Sequence, residues 1–271
     1  MKKRKALLLL GIFSAGGVVF AGSNIMGSKH DLRASNTAAT IRSQSVNEVC
    51  VFCHTPHHSN TAFTGAPLWN KETTASTFTM YGTTVSGTST DAQPNAPSKA
   101  CLSCHDGVTA INSIVNLPGA GLDGAGGGLG SPINYVSMTT DGGTTWSGAG
   151  VAVSMPTNSY ANIGTDLTND HPISIVYNAP NVDPDQNPGS LRQTTTSLTG
   201  TWLVRDSDGV AGPTIGDLLR GGKVECPSCH DPHADNPIAG GGQHPLFLRR
   251  VGGNADSAIC LTCHAKGPMP P

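Results

Sequence analysis

The sequence predicts a mostly irregular chain with short helices at repeated cysteine motifs and a few short strands. Bound groups, more than side chains, are expected to form its core. Three observations predict this. Cys-x-x-Cys-His occurs at Cys50–His54, Cys101–His105, Cys226–His230 and Cys260–His264, and these four copies use all eight cysteines. Large side chains are scarce, with aromatics at 5%, while 34 glycines and 19 prolines punctuate the chain. Such a polypeptide has little apolar area with which to offset the entropy of ordering its backbone. Finally, long stretches between the motifs show no helical period.

Cys-x-x-Cys-His is the attachment spacing of c-type haem. Two thiols add to the vinyl groups of one porphyrin, and the adjoining histidine lies under the iron. The expected cofactor is therefore four covalently attached haem c groups. They would be tethered by Cys50, Cys53, Cys101, Cys104, Cys226, Cys229, Cys260 and Cys263, with His54, His105, His230 and His264 as proximal iron ligands. Zinc ribbons also pair Cys-x-x-Cys units, but they give no reason for a histidine right after the second cysteine of all four pairs. A thioredoxin-type motif would occur once, at a helix start. Four flat apolar porphyrins would supply the core that the side chains do not.

The N-terminus is read as an export signal over residues 1–21. Lys2, Lys3, Arg4 and Lys5 form a basic region, the run from Ala6 to Phe20 is apolar, and Val19-Phe20-Ala21 provides a small-residue cleavage site before Gly22. The apolar run is shorter than the ~20 residues that span a bilayer, so no membrane span is expected after cleavage. The expected location is exported, periplasmic or at the cell surface, which agrees with haem attachment outside the cytoplasm. Charged residues make up 13% of the chain and the net charge is −2. That balance argues against a nucleic-acid partner.

The motifs form two similar modules. Residues 22–116 carry His30-Asp31-Leu32, then CVFC-His54-Thr55-Pro56-His57, then CLSC-His105-Asp106-Gly107. Residues 169–271 carry Asp170-His171-Pro172, then CPSC-His230-Asp231-Pro232-His233, then CLTC-His264. Both read as a lone histidine, a CxxCHxPH and a CLxCH, as in an internal duplication with a haem pair per half. Residues 117–168 form a connection rich in Gly, Ser and Thr, with small hairpins expected at 133–138 and 150–155. A second insertion, 181–224, holds the strand-like Thr201-Trp202-Leu203-Val204 and a helical turn at Ile215 to Arg220.

Ten histidines leave six beyond the proximal set: His30, His57, His58, His171, His233 and His244. The sixth iron position separates an electron carrier from an enzyme. The duplication selects four of the six as distal ligands. His57 and His233 each follow a proximal histidine by three residues and are expected to reach the iron of a neighbouring haem. His30 and His171 precede their modules and would close the other two irons. His58 and His244 lack counterparts and are read as non-ligating, as are Met80, Met138 and Met155, which lie in unrepeated segments. His30 sits on a polar arm that can fold onto its own chain or reach the next subunit.

At these motifs the chain resembles the doubled-CxxCH multihaem cytochromes of metal-reducing bacteria. The residues that carry the likeness are His30-Asp31-Leu32, CVFCHTPH with Ala66-Pro67-Leu68-Trp69-Asn70 after it, CLSCHDG, Asp170-His171-Pro172-Ile173-Ser174 and CPSCHDPH. The likeness covers both modules and not the insertions. It implies bis-His haems with His30, His57, His171 and His233 as distal ligands, and electron transfer toward external acceptors such as metal oxides. Tetrahaem members include extracellular cytochromes that polymerise into filaments, so a distal histidine from a neighbouring subunit is also implied.

The expected fold class is thus a multihaem cytochrome c, and the expected function is electron transfer along a chain of bis-His haems, with other redox proteins as partners. It is not expected to be an enzyme. A soluble periplasmic carrier and a filament-forming homopolymer remain alternatives, as does a multihaem reductase with one open iron.

Overall fold

The computed structural model describes residues 25–37, 39, 41–43, 46–116, 154–157, 159–177, 183, 185, 190–233 and 246–269. The expected export signal, the hairpin at 133–138, most of that at 150–155, His244 and Met138 lie outside these residues. Regular structure is sparse. Helices are α1 (Ala96–His105), α2 (Ile215–Leu218), α3 (Cys226–Cys229) and α4 (Ala258–Cys263), the last preceded by a 3-10 turn at Ala255–Ser257. Strands β1 (Ile175–Val176) and β2 (Lys223–Val224) pair antiparallel, Ile175 opposite Val224. Among the described residues no helix is long and apolar enough to cross a membrane.

Local chemistry explains why the helices are short. Pro97 opens α1, where a missing N–H costs nothing. Gly107, just past its end, has φ +69° and lies against the Asn162 side chain, a place where a β-carbon has no room. Capping boxes start α2 at Thr214 with Asp217, and α3 at Glu225 with Ser228. The helical turn expected at Ile215 to Arg220 is α2, whereas Trp202 makes only an isolated bridge to Arg250.

Apolar side chains form small clusters. Val46, Phe52, Ile111 and Met155 bury one another, with Cys53 and Cys104 packed against them. Phe78, Leu102 and Leu167 form a second group beside Ile173. Met155 is thus a core residue of the first cluster. Neither group is large enough to organise a chain of 271 residues.

A polar joint ties the modules together. Buried Glu225 accepts hydrogen bonds from Asn95 Nδ2 (3.0 Å), from Ser174 Oγ (3.0 Å) and from Ser98 Oγ. Ser98 Oγ also receives the N–H of Cys226 at 3.0 Å, and Lys223 pairs with Asp91. These bonds hold the second cysteine motif, in α1, against the third, in α3.

Candidate haem sites

Each cysteine motif closes on itself in one turn. The His N–H donates to the carbonyl of the first cysteine in His54 (2.7 Å), His230 (3.1 Å) and His264 (2.9 Å), and α1 contains the same turn at His105. An i to i−4 bond gathers the two cysteines and the histidine of each motif into one turn.

Three of the motifs are then clamped by an opposing strand. Cys53 O accepts from Asn70 N and Thr55 N donates to Leu68 O; Cys229 O and Asp231 N do the same with Arg249 and Phe247, and Cys263 O and Ala265 N with Arg192 and Ser190. Leu68 and Phe247 occupy equivalent places and both have positive φ, 52° and 51°. A bulky side chain in that region stores roughly 1–3 kcal/mol of strain. Its repetition at two motifs marks the clamp as a feature of the site. Sequence reasoning missed these strands; Pro67-Leu68-Trp69 and Pro245-Leu246-Phe247 were the available clue.

Backbone carbonyls also fix three of the rings. His54 Nδ1 donates to Pro67 O (2.7 Å), His230 Nδ1 to Leu246 O (2.6 Å) and His105 Nδ1 to Ala161 O (2.6 Å). A ring whose Nδ1–H is held by a carbonyl leaves Nε2 as a lone-pair donor, the usual arrangement of a metal-ligating histidine.

Three of the four expected proximal rings face a second histidine. Ring centres are 6.1 Å apart for His30 and His105, 6.1 Å for His54 and His233, and 6.3 Å for His171 and His264. A metal–imidazole bond is about 2 Å long and a ring centre lies roughly 1.1 Å behind its nitrogen, so rings trans on one iron have centres about 6 Å apart. The separations suit one iron between each pair. The planes of the three pairs are inclined at 76°, 19° and 66° respectively, and His30 also lies on Phe247 with ring centres 4.2 Å apart. The pairing crosses the module boundary, because His233 of the second half faces His54 of the first. His57 and His58 are exposed; among the described residues no histidine ring is paired with His230 at such a distance, though His230 lies near enough to His30 and His105 to lower the pKa of both.

The rings have the right charge for ligation. Burial, and then His105, lower the pKa of His30 to about 4 against the opposing Pro232 carbonyl. Burial also lowers His105 and His264. These imidazoles are therefore neutral at pH 7, the form that binds iron. His30 Nδ1 and Trp69 Nε1, the latter on a side chain lying edge-on to His54, are buried without a hydrogen-bond partner. An indole N–H in that position would be satisfied by a propionate carboxylate.

Thiols of successive motifs lie close enough to influence one another. Burial raises Cys53 to about 12 with Cys104 adding to it, and Cys101 and Cys226 interact directly, raising the first and lowering the second. Burial then raises Cys229 to about 11, with Cys226 and Cys260 adding, and Cys263 to about 12, with Cys229 adding. Each motif thus neighbours the next in chain order. Paired thiols beside a neutral histidine, with a second histidine across a gap, are a donor set that fits haem c.

Asp206, Asp208 and Asp217 also converge. Their oxygens are taken up by Ser207, Thr214, Val210 and Gly212 within the same loop, which accounts for the cluster as a turn. No protein-family model matches the chain, and no curated protein matches it.

Proposed function

We propose that this chain is an exported tetrahaem c-type cytochrome that carries electrons, with each haem held by two thioethers and, in at least three cases, by two histidines. The reading rests above all on the three histidine pairs whose spacing suits an iron between them. When bound, haem c supplies a one-electron couple at each site. The chain's residues do the rest. The cysteines fix each porphyrin edge, the clamped Nδ1 groups orient the proximal rings, and His30, His171 and His233 close the opposite faces to substrate. Adjacency of the motifs in the order first, second, third, fourth supports a continuous path from one end of the chain to the other. The proposed partners are redox proteins at either end and, at a cell surface, metal oxides.

The second proposal concerns His230. His57 is the counterpart of His233 and is assigned as its distal ligand, from its own chain or from the next copy. A contact between copies would be heterologous and would propagate into a filament. His30 is seated against His105 of its own chain, so a ligated junction falls at His230 and not at the N-terminal arm. The competing reading is a reductase with an open iron at His230, favoured by the absence of a facing histidine among the described residues.

Potentiometry with electron paramagnetic resonance tests both. A carrier takes up four electrons per chain reversibly, its ferric haems all low-spin in the assembled state. A high-spin signal equal to one haem, persisting at every concentration and binding carbon monoxide on reduction, would favour the reductase.

A further inference from the structure

The three distal candidates that face a proximal ring differ in what holds their outer nitrogen. His171 Nδ1 donates to the Pro172 carbonyl at 3.0 Å. His30 Nδ1 has no hydrogen-bond partner. His233 alone of the three meets a charged acceptor: Asp231 Oδ1 takes its backbone N–H at 2.9 Å and lies 3.3 Å from its Nδ1. That carboxylate is itself anchored. Its second oxygen accepts from Arg249 Nη1 at 3.0 Å, and Arg249 is half-caged by the carbonyls of Pro227 and Leu203, both at 2.6 Å. The Asp231 N–H is tied to Phe247 O at 2.8 Å.

Two comparisons within the chain show that this is not a property of the motif. Asp106 also follows a proximal histidine, but its oxygens are occupied by Thr74, Ser76, Val108 and Thr109. In the duplicate of the Asp231 turn the residue is Thr55, whose hydroxyl donates to the His57 carbonyl. Only one half of the duplication has placed a carboxylate behind its distal histidine.

We infer that Asp231 is a positioning residue for His233, holding the ring toward His54 by its Nδ1, so that this site has the lowest reduction potential of the three described pairs. A carboxylate that accepts the Nδ1–H gives the imidazole partial imidazolate character. A more electron-donating ligand favours the oxidised metal. Arg249 moderates the effect by sharing the charge while keeping the carboxylate in place. The electron path would then have a fixed low-potential end at the first motif.

The inference rests on the haem reading above, and the experiment separates the two. Asp231→Asn and Asp231→Glu would be prepared as haem-loaded full chains, their haem content measured by pyridine haemochrome, and each titrated by spectroelectrochemistry with electron paramagnetic resonance of the ferric state. In Asp231→Asn, one of the four waves, the lowest among the three paired sites, should move to higher potential. One low-spin signal should change with it, and four haems should be retained. Asp231→Glu should restore both and also controls for folding. Because Asp231 adjoins His230, a mere through-space charge would move two waves together and leave every low-spin signal unchanged. That outcome overturns the inference, as do four unmoved waves. Wild-type protein without four covalent haems would instead overturn the haem reading, and this inference with it.

Discussion

Individual histidines divide into those fixed from both sides and those that are free. His30 is half-buried, stacked on Phe247 and placed 6.1 Å from His105. His30→Ala should therefore convert one haem from low to high spin, visible as one new high-spin ferric signal. His233→Ala should do the same for the site at His54. His57→Ala should open the site at His230, while His58→Ala should leave all four haems low-spin. Opening by His58→Ala and not by His57→Ala would transfer the assignment to the neighbouring residue. Phe247 supplies a graded test. An aromatic stack is worth roughly 0.5–1.5 kcal/mol, so Phe247→Ala should loosen His30 and yield a partial, temperature-dependent high-spin fraction. A full loss of the low-spin signal or none at all would contradict that role.

At the scale of elements, the clamp strands and the Glu225 joint set the geometry. Glu225 gathers Asn95, Ser98 and Ser174 from two distant segments while capping α3. Glu225→Ala leaves those donors without an acceptor, and a buried donor left unpaired costs about 1–3 kcal/mol. Denaturant unfolding of the haem-loaded protein should show at least that loss. The third motif should lose its register against the second, reported by a changed exciton coupling between haems. An unfolding midpoint equal to wild type would show that haem attachment alone holds the motifs together. This joint was not legible in the sequence, because Glu225 lies more than a hundred residues from Ser98 and Asn95 and forms no pattern with them. The Cys-x-x-Cys-His turns were legible, since their chemistry is local. The helical turn expected at Ile215 to Arg220 is present but ends at Leu218, with Leu219 already extended. The opposing strands at Leu68, Phe247 and Ser190 were not, because two residues bonding to a turn leave no alternation to detect.

For the whole molecule, the described residues hold two small apolar clusters and a few short elements, which is what a chain poor in large side chains can build by itself. The sequence showed why, through its scarcity of large side chains, and it singled out His30, His171 and His233 as probes of the site. It could not show which ring meets which. That depends on contacts between halves, such as His233 against His54, and spacing within one half carries no information about them. The duplication invites a picture of two independent haem pairs; the structure instead interlocks the halves, through His233, Glu225 and the stack of His30 on Phe247. Assembly into a homopolymer through His230 should appear as growth of particle size with concentration, tracked by light scattering and negative-stain imaging. His57→Ala should abolish it. A monodisperse particle with four low-spin haems at every concentration would place the His230 ligand within its own chain and leave a soluble carrier.

The central claim is that four haems are covalently bound to one chain. Intact mass spectrometry of the exported protein after acid–acetone extraction tests it most directly. The account predicts a mass exceeding the mature polypeptide by four haem masses, with no haem in the organic layer. A mass equal to the bare polypeptide, or to a chain carrying zinc or disulfides in place of thioethers, would contradict it.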